Sequence, residues 1–259
     1  MNSPARLKAS VCVDAVLENL PTVDAMKLVA ECGYPAFEFW KWWDKDLDAI
    51  NQAREELQLQ VAAVCTKFVS LVDPDVRAEY LAGLKESIAA AGQLNCPVLI
   101  SQVGDARPGV DRAEQRDCMV AGLKEAAPML EDSGVVLAIE PLNELIDHEG
   151  YYLVRSDEAF SIIEEVGSPN VKVTFDIYHQ QISEGHVIAN LTKNINAIAH
   201  FHAAGNPGRH ELDRGELHYP SIFAAIADTG YSGHVGLEYW PVNDAAAGLL
   251  EVASWIKKV

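Results

Sequence analysis

Short apolar runs alternate along this chain with longer stretches in which apolar residues recur every three or four positions. The short runs read as eight strands, near Lys8–Val13, Ala36–Trp40, Gln60–Cys65, Val98–Ser101, Val135–Glu140, Val171–Asp176, Ala197–His202 and His234–Glu238. Helical patterns fill the intervals, as over Ala78–Leu94 and Arg112–Leu130. Gly33, Gly134, Gly167 and Gly230 each stand just before a strand, where a left-handed residue can close the preceding helix. Ser156, ahead of Asp157-Glu158-Ala159, is expected to cap the helix between the fifth and sixth strands.

Strands that alternate with helices imply parallel pairing and an α/β fold. The strand–helix unit recurs at a spacing of roughly 30 residues, the period of a (β/α)₈ barrel. A doubly wound open sheet normally carries a glycine-rich turn after its first strand, and here that turn is Asp14-Ala15-Val16-Leu17. The expected architecture is therefore a (β/α)8 TIM barrel spanning residues 1–259 as one domain.

Side chains of a strand alternate between two faces, and this sorts the residues of the last four strands. Val135, Leu137 and Ile139 share one face of the fifth strand, leaving Val136, Ala138 and Glu140 on the other. The sixth strand divides Val171, Val173 and Phe175 from Lys172, Thr174 and Asp176. The seventh divides Ala199 and Phe201 from His200 and His202, and the eighth divides Val235 and Leu237 from His234, Gly236 and Glu238. The apolar sets must face the helices, so the others face the lumen. Their last members, Glu140, Asp176, His202 and Glu238, fall at the strand ends where barrels of this class carry their chemistry. Three carboxylates brought to one place repel unless a cation joins them. One divalent metal ion is expected there; oxygen ligands with one imidazole suit Mn²⁺ or Mg²⁺, and Co²⁺ or Zn²⁺ also fit.

Composition narrows the partners. The net charge is −18, from 38 acidic and 20 basic residues, which opposes nucleic acid and anionic membranes. No apolar run reaches the roughly 20 residues that span a bilayer. Arg6 and Lys8 are followed by Asp14 and Glu18 rather than by an apolar leader core, so a cytoplasmic location is expected. The five cysteines are odd in number and form no CxxC, so they read as reduced core residues. Cys65, at a strand end, is the one among them placed where a thiol could act as a nucleophile.

Several segments carry a family resemblance: Ile139-Glu140-Pro141-Leu142-Asn143, Gly150-Tyr151-Tyr152-Leu153 and Gly167-Ser168-Pro169-Asn170-Val171-Lys172. It continues through Asp176-Ile177-Tyr178-His179-Gln180-Gln181-Ile182, Gly205-Asn206-Pro207-Gly208-Arg209-His210-Glu211 and Gly236-Leu237-Glu238-Tyr239. The chain resembles the xylose-isomerase-like barrel superfamily, and within it the hydroxypyruvate isomerase family. The resemblance implies that Glu140, Asp176, His202 and Glu238 bind the metal and that Glu140 and Glu238 form the acid/base pair. It also implies that His179 and Arg209 contact substrate oxygens, and that the protein is a homo-oligomer, a dimer or tetramer. The position of His202 looks like glutamine in hydroxypyruvate isomerases, whereas histidine there is similar to the tagatose and psicose 3-epimerases. Glu38-Phe39-Trp40-Lys41-Trp42-Trp43 and Thr66-Lys67 also depart from the hydroxypyruvate isomerase pattern.

The expected activity is isomerisation of a small hydroxy-carbonyl compound through an enediolate, with ketose 3-epimerisation as the alternative. Readings of another class are a metal-dependent hydrolase and a non-catalytic sugar-binding barrel. Arg209 is expected to hold a substrate carboxylate or to pair with Glu211, and Lys67 to bind an anionic group or be solvated. Glu38 is expected at the barrel mouth, and His200 below His202 as an interior hydrogen-bonded residue. Trp40, Trp42 and Trp43 read equally as a pocket wall or an oligomer contact. His210-Glu211 begins like a zincin motif, but no histidine follows four residues on.

Overall fold

The computed structural model describes residues 7–259; Arg6, one of the two basic residues near the N-terminus, lies outside them. Eight strands close into a barrel in chain order: β1 (Lys8–Cys12), β2 (Ala36–Phe39), β3 (Gln60–Cys65), β4 (Val98–Ser101), β5 (Val136–Ile139), β6 (Val171–Asp176), β7 (Ile198–Ala203) and β8 (His234–Leu237). Every neighbouring pair is parallel, including β8 with β1. Among the described residues ten α-helices wind around them: α1 (Val13–Val16), α2 (Thr22–Glu31), α3 (Leu47–Glu56), α4 (Arg77–Leu94), α5 (Arg112–Ser133), α6 (Ser156–Val166), α7 (Ile177–Ser183), α8 (Val187–Lys193), α9 (Tyr219–Asp228) and α10 (Ala245–Ile256).

The strand limits agree with the apolar runs to within one residue. The differences fall where the chain leaves the ladder: Glu140 and Glu238 stand just beyond β5 and β8, and Ala197 lies in a 3₁₀ turn before β7. Gly33, Gly134, Gly167 and Gly230 all have φ between 74° and 81°, the left-handed form that ends a helix. Ser156 departs from expectation. It is the first residue of α6 rather than its cap, and its hydroxyl donates to Glu184 Oε1 at 2.5 Å instead.

Alternation sorts the side chains as predicted. Phe37, Phe39, Leu137, Ile139, Phe175, Phe201 and Val235 are buried in the large core between sheet and helices. Inside the barrel a separate small cluster is formed by Ala63, Cys65, Val98, Ile100 and Ala138. Polar residues occupy the other side of the lumen, where Glu38, Thr174, Asp176, His200 and His202 are all at most 2% exposed. The lumen is thus apolar towards β3–β5 and ionic towards β6, β7 and β2. Among the described residues, no helix is long and apolar enough to cross a membrane.

Candidate active site

Register decides which side chains meet. Asp176 pairs with His202 between β6 and β7, and His202 pairs with Gly236 between β7 and β8. Glu140, Asp176, His202 and Glu238 stand at or just beyond the C-terminal ends of β5 to β8, and all four are buried. His202 Nδ1 lies 2.9 Å from Glu140 Oε1 and 3.6 Å from Glu238 Oε2. Glu140, Asp176 and His202 each offer a ligand atom within 4.8 Å of the other two. The predicted quartet is brought together.

Arg209, from the loop after β7, reaches into the same group. Its Nη2 bonds Glu238 Oε2 and stands 3.8 Å from Asp176 Oδ2, while its guanidinium lies over the rings of Tyr178 and Trp240. The alternative pairing with Glu211 is not made. Glu211 Oε1 instead accepts from the backbone of Val242 and Asn243, so it fastens the β8 loop. Trp40 Nε1 donates to the other oxygen of Glu238 at 2.7 Å.

Burial and mutual repulsion set the protonation of these groups. Burial pushes the Glu140 carboxyl up, and Glu238 and Asp176 add to that, against the pull of His202. Asp176 is also raised, chiefly by burial despite Arg209 and His202. Glu238 differs: burial pushes it up, but His202, Arg209 and the Trp40 hydrogen bond outweigh this and hold it low. Burial works against charge on His202, yet Glu238 and Glu140 overcome it and raise its pKa well above the usual imidazole value. Arg209 and a protonated His202 thus balance the carboxylates. Oxygen donors plus one imidazole nitrogen, gathered this closely, also match the ligand set of a hard or borderline divalent ion.

His179 lies on α7, whose first turn is capped by Asp176 Oδ1 accepting from the His179 backbone N–H at 3.0 Å. Its Nδ1 accepts from Asn143 N and Nδ2, at 3.2 and 2.6 Å, so the ring proton resides on Nε2. That Nε2 is buried without a hydrogen-bond partner, 3.6 Å from Asp176 Oδ2. Burial, Arg209 and His148 depress its pKa well below the ordinary value, so the ring is a neutral donor. Asn143 was missed in the sequence, although it sits three residues after Glu140 in the quoted motif.

A cavity of about 290 Å³ opens above these groups, lined by Trp40, Gln102, Glu140, His148, His202 and Trp240 among others. It lies at the small end of ligand sites, typically ~300–1,000 Å³. A larger apolar cleft of about 530 Å³, lined by Leu7, Tyr34 and Ala253, contains no carboxylate and is remote from this chemistry.

Other expectations need correcting. Lys67 is not brought to the site: its Nζ pairs with Glu86 of α4 at 2.5 Å, and its stem lies 3.4 Å from where a Cβ on Gly83 would stand. Glu38 is not at the mouth but inside the lumen, where its carboxylate meets Ser10, His200 and His202. The tryptophans divide. Trp40 lines the cavity, whereas Trp42 and Trp43 stack edge-on and continue to Phe68. Cys65 also lines the cavity, but burial and the nearby Glu140 and Glu238 push its thiol far up, which leaves it unreactive.

The chain matches the model of the xylose isomerase-like TIM barrel family over residues 26–259. It is 38% identical over 184 residues to 2-oxo-tetronate isomerase of Cupriavidus necator, covering 71% of this chain and 69% of that protein. It is 30% identical over 229 residues to hydroxypyruvate isomerase of Escherichia coli, covering 85% of this chain and 88% of that one. Among solved structures, an AP endonuclease, family 2, from Brucella melitensis superposes with a TM-score of 0.91 at 28% identity, covering 96% and 98% of the two chains.

Proposed function

The chain belongs to the xylose isomerase-like TIM-barrel family, and from that membership and the site geometry we propose a divalent-metal-dependent isomerase of a small 2-oxo acid bearing a neighbouring hydroxyl. In this reading residues 1–259 act as one barrel domain. The observation that carries it is the buried grouping of Glu140, Asp176 and His202, each with a ligand atom within 4.8 Å of the others, with Glu238 3.6 Å from His202, beneath a small cavity.

Aldehyde–ketone interconversion in such a compound starts by removing a weakly acidic proton from carbon beside a carbonyl. A divalent ion held by Glu140, Asp176, His202 and Glu238, Mn²⁺ or Mg²⁺ by donor chemistry, would stabilise the negative charge of the enediolate. Glu140 and Glu238 approach His202 from opposite ends of the set, from β5 and β8, so one carboxylate can take the proton and the other return one. The unpartnered His179 Nε2–H is a donor for a substrate oxygen, held in that tautomer by Asn143. Arg209 steadies Glu238 and offers its remaining N–H groups to a substrate carboxylate. Trp40 and Trp240, 6.1 Å apart, wall the cavity and limit water.

The acids in excess of bases count against a phosphodiester backbone as substrate, since each phosphate would meet a carboxylate-lined mouth in a chain of net charge −18. The imidazole of His202 favours a second reading, ketose 3-epimerisation, which uses the same proton abstraction with return to the opposite face. Separate incubations with hydroxypyruvate, 2-oxo-tetronate and free ketoses in deuterated water, with and without Mn²⁺, distinguish these readings. Metal-restored isomerisation of the oxo acids with solvent deuterium entering carbon supports the proposal. Turnover of ketoses alone replaces it with the epimerase, and no exchange with any of them removes both.

A further inference from the structure

The ionic part of the lumen continues below the proposed metal ligands. Glu38, from the middle of β2, is 2% exposed and crosses the barrel to β7. Its Oε1 accepts from His202 Nε2 at 2.9 Å. Its Oε2 accepts from the Ser10 hydroxyl at 2.6 Å and lies 2.9 Å from His200 Nε2. Building on the proposed metal site, we propose that Glu38 is a positioning residue for it. Its carboxylate grips Nε2 of His202 so that Nδ1 is the nitrogen presented to Glu140, Asp176 and Glu238.

An imidazole has two nitrogens and a ring that can flip, and a ligand histidine works only when one of them is committed elsewhere. A carboxylate on the far nitrogen fixes the tautomer and the ring plane and makes the ligating nitrogen more basic. Glu38 meets that requirement from the opposite side of the barrel. Ser10 on β1 holds the carboxylate in place, and the His200 ring stands at 88° to that of His202, which closes the lumen beneath.

The fold makes room for this contact at Gly236. A Cβ there would lie 2.3 Å from Glu38 Oε1 and 2.7 Å from Oε2, so any side chain on that residue of β8 would push the carboxylate off His202. Glu38, His200 and His202 could by distance hold an ion themselves. An ion bound by His202 Nε2 would have to displace the proton that Nε2 donates to Glu38, so the observed hydrogen bond favours the clamp over a second ion.

The test is titration of the metal-free protein with Mn²⁺ by calorimetry and with Co²⁺ by its visible d–d bands. Wild type, Glu38→Gln and Gly236→Ala are compared after circular dichroism has verified their folds. The expected result is one ion per wild-type chain, an affinity reduced roughly 10- to 100-fold in both variants, and a shifted cobalt spectrum. Gly236→Ala keeps every polar group, so it carries the test should Glu38→Gln not fold. Wild-type affinity and an unchanged cobalt spectrum in a folded variant would overturn the inference, as would two ions per wild-type chain with one lost in Glu38→Gln. Absence of ion uptake by the wild type would instead sink the proposed function itself.

Discussion

Trp40 Nε1 and Glu238 Oε1 are joined by a 2.7 Å hydrogen bond across 198 residues of sequence, tying the end of β2 to the end of β8. The indole holds one Glu238 oxygen while Arg209 holds the other, so both are directed before a substrate arrives. Trp40→Phe keeps the cavity wall and removes the donor. A hydrogen bond to a charged group is worth about 1.5–3 kcal/mol, so kcat should fall roughly 10- to 100-fold with the fold intact. Steady-state kinetics beside circular dichroism check this; an unchanged kcat would show that Glu238 needs no such support.

Glu140→Gln and Glu238→Gln each remove a carboxylate able to move a proton. Each should lower kcat by about 10²- to 10⁴-fold. The double variant should be little worse than the poorer single one, because abstraction and return are successive parts of one reaction and the two carboxylates act as a unit. Deuterium incorporation from solvent, measured by NMR in each single variant, separates loss of abstraction from loss of return.

Chelation should abolish activity, and Mn²⁺ or Mg²⁺ should restore it. At an ion concentration about 100 times Kd, binding to the folded state adds roughly 2.7 kcal/mol. For a chain of this size that is a rise of roughly 5–10 °C in Tm, readable by calorimetry with and without the ion. An equal Tm in both conditions would contradict binding at the rim.

His234, at the start of β8, carries a separate pH dependence. Burial, with His200 and Lys8 nearby, depresses its pKa from the usual 6.5 to about 4, against a smaller opposing effect of Glu38. The folded state therefore binds this proton less readily than the unfolded chain. Its contribution to stability is complete above pH 6.5 and is lost as pH falls from there towards 4. Between pH 7 and pH 5 this group alone should cost roughly 2 kcal/mol. Urea unfolding at the two pH values should show a correspondingly smaller loss in His234→Gln, whose side chain does not titrate.

Much of this was legible in the chain because it is local. The alternation of Val171, Val173 and Phe175 with Lys172, Thr174 and Asp176 by itself assigns three apolar side chains to the helices and Asp176 to the lumen, and the structure agrees. The same two-residue period aims Glu140, Asp176, His202 and Glu238 inward, and the positive-φ glycines mark where helices end. Patterns of this kind depend on covalent geometry and on which face meets water, both of which are properties of neighbouring residues.

How far each side chain reaches was decided only by the closed barrel. Lys67 stands next to Thr66 at the end of β3, yet Glu86 and the glycine surface of α4 draw it away from the mouth. Arg209 passes over its sequence neighbour Glu211 because the buried carboxylate of Glu238 lies within its reach and has fewer other donors. Glu38 and His202 are 164 residues apart and meet only because β2 and β7 face each other across a lumen kept open by the bare backbone of Gly236. Charges buried at a low-dielectric centre must find partners across space, and one-dimensional spacing carries no record of those distances.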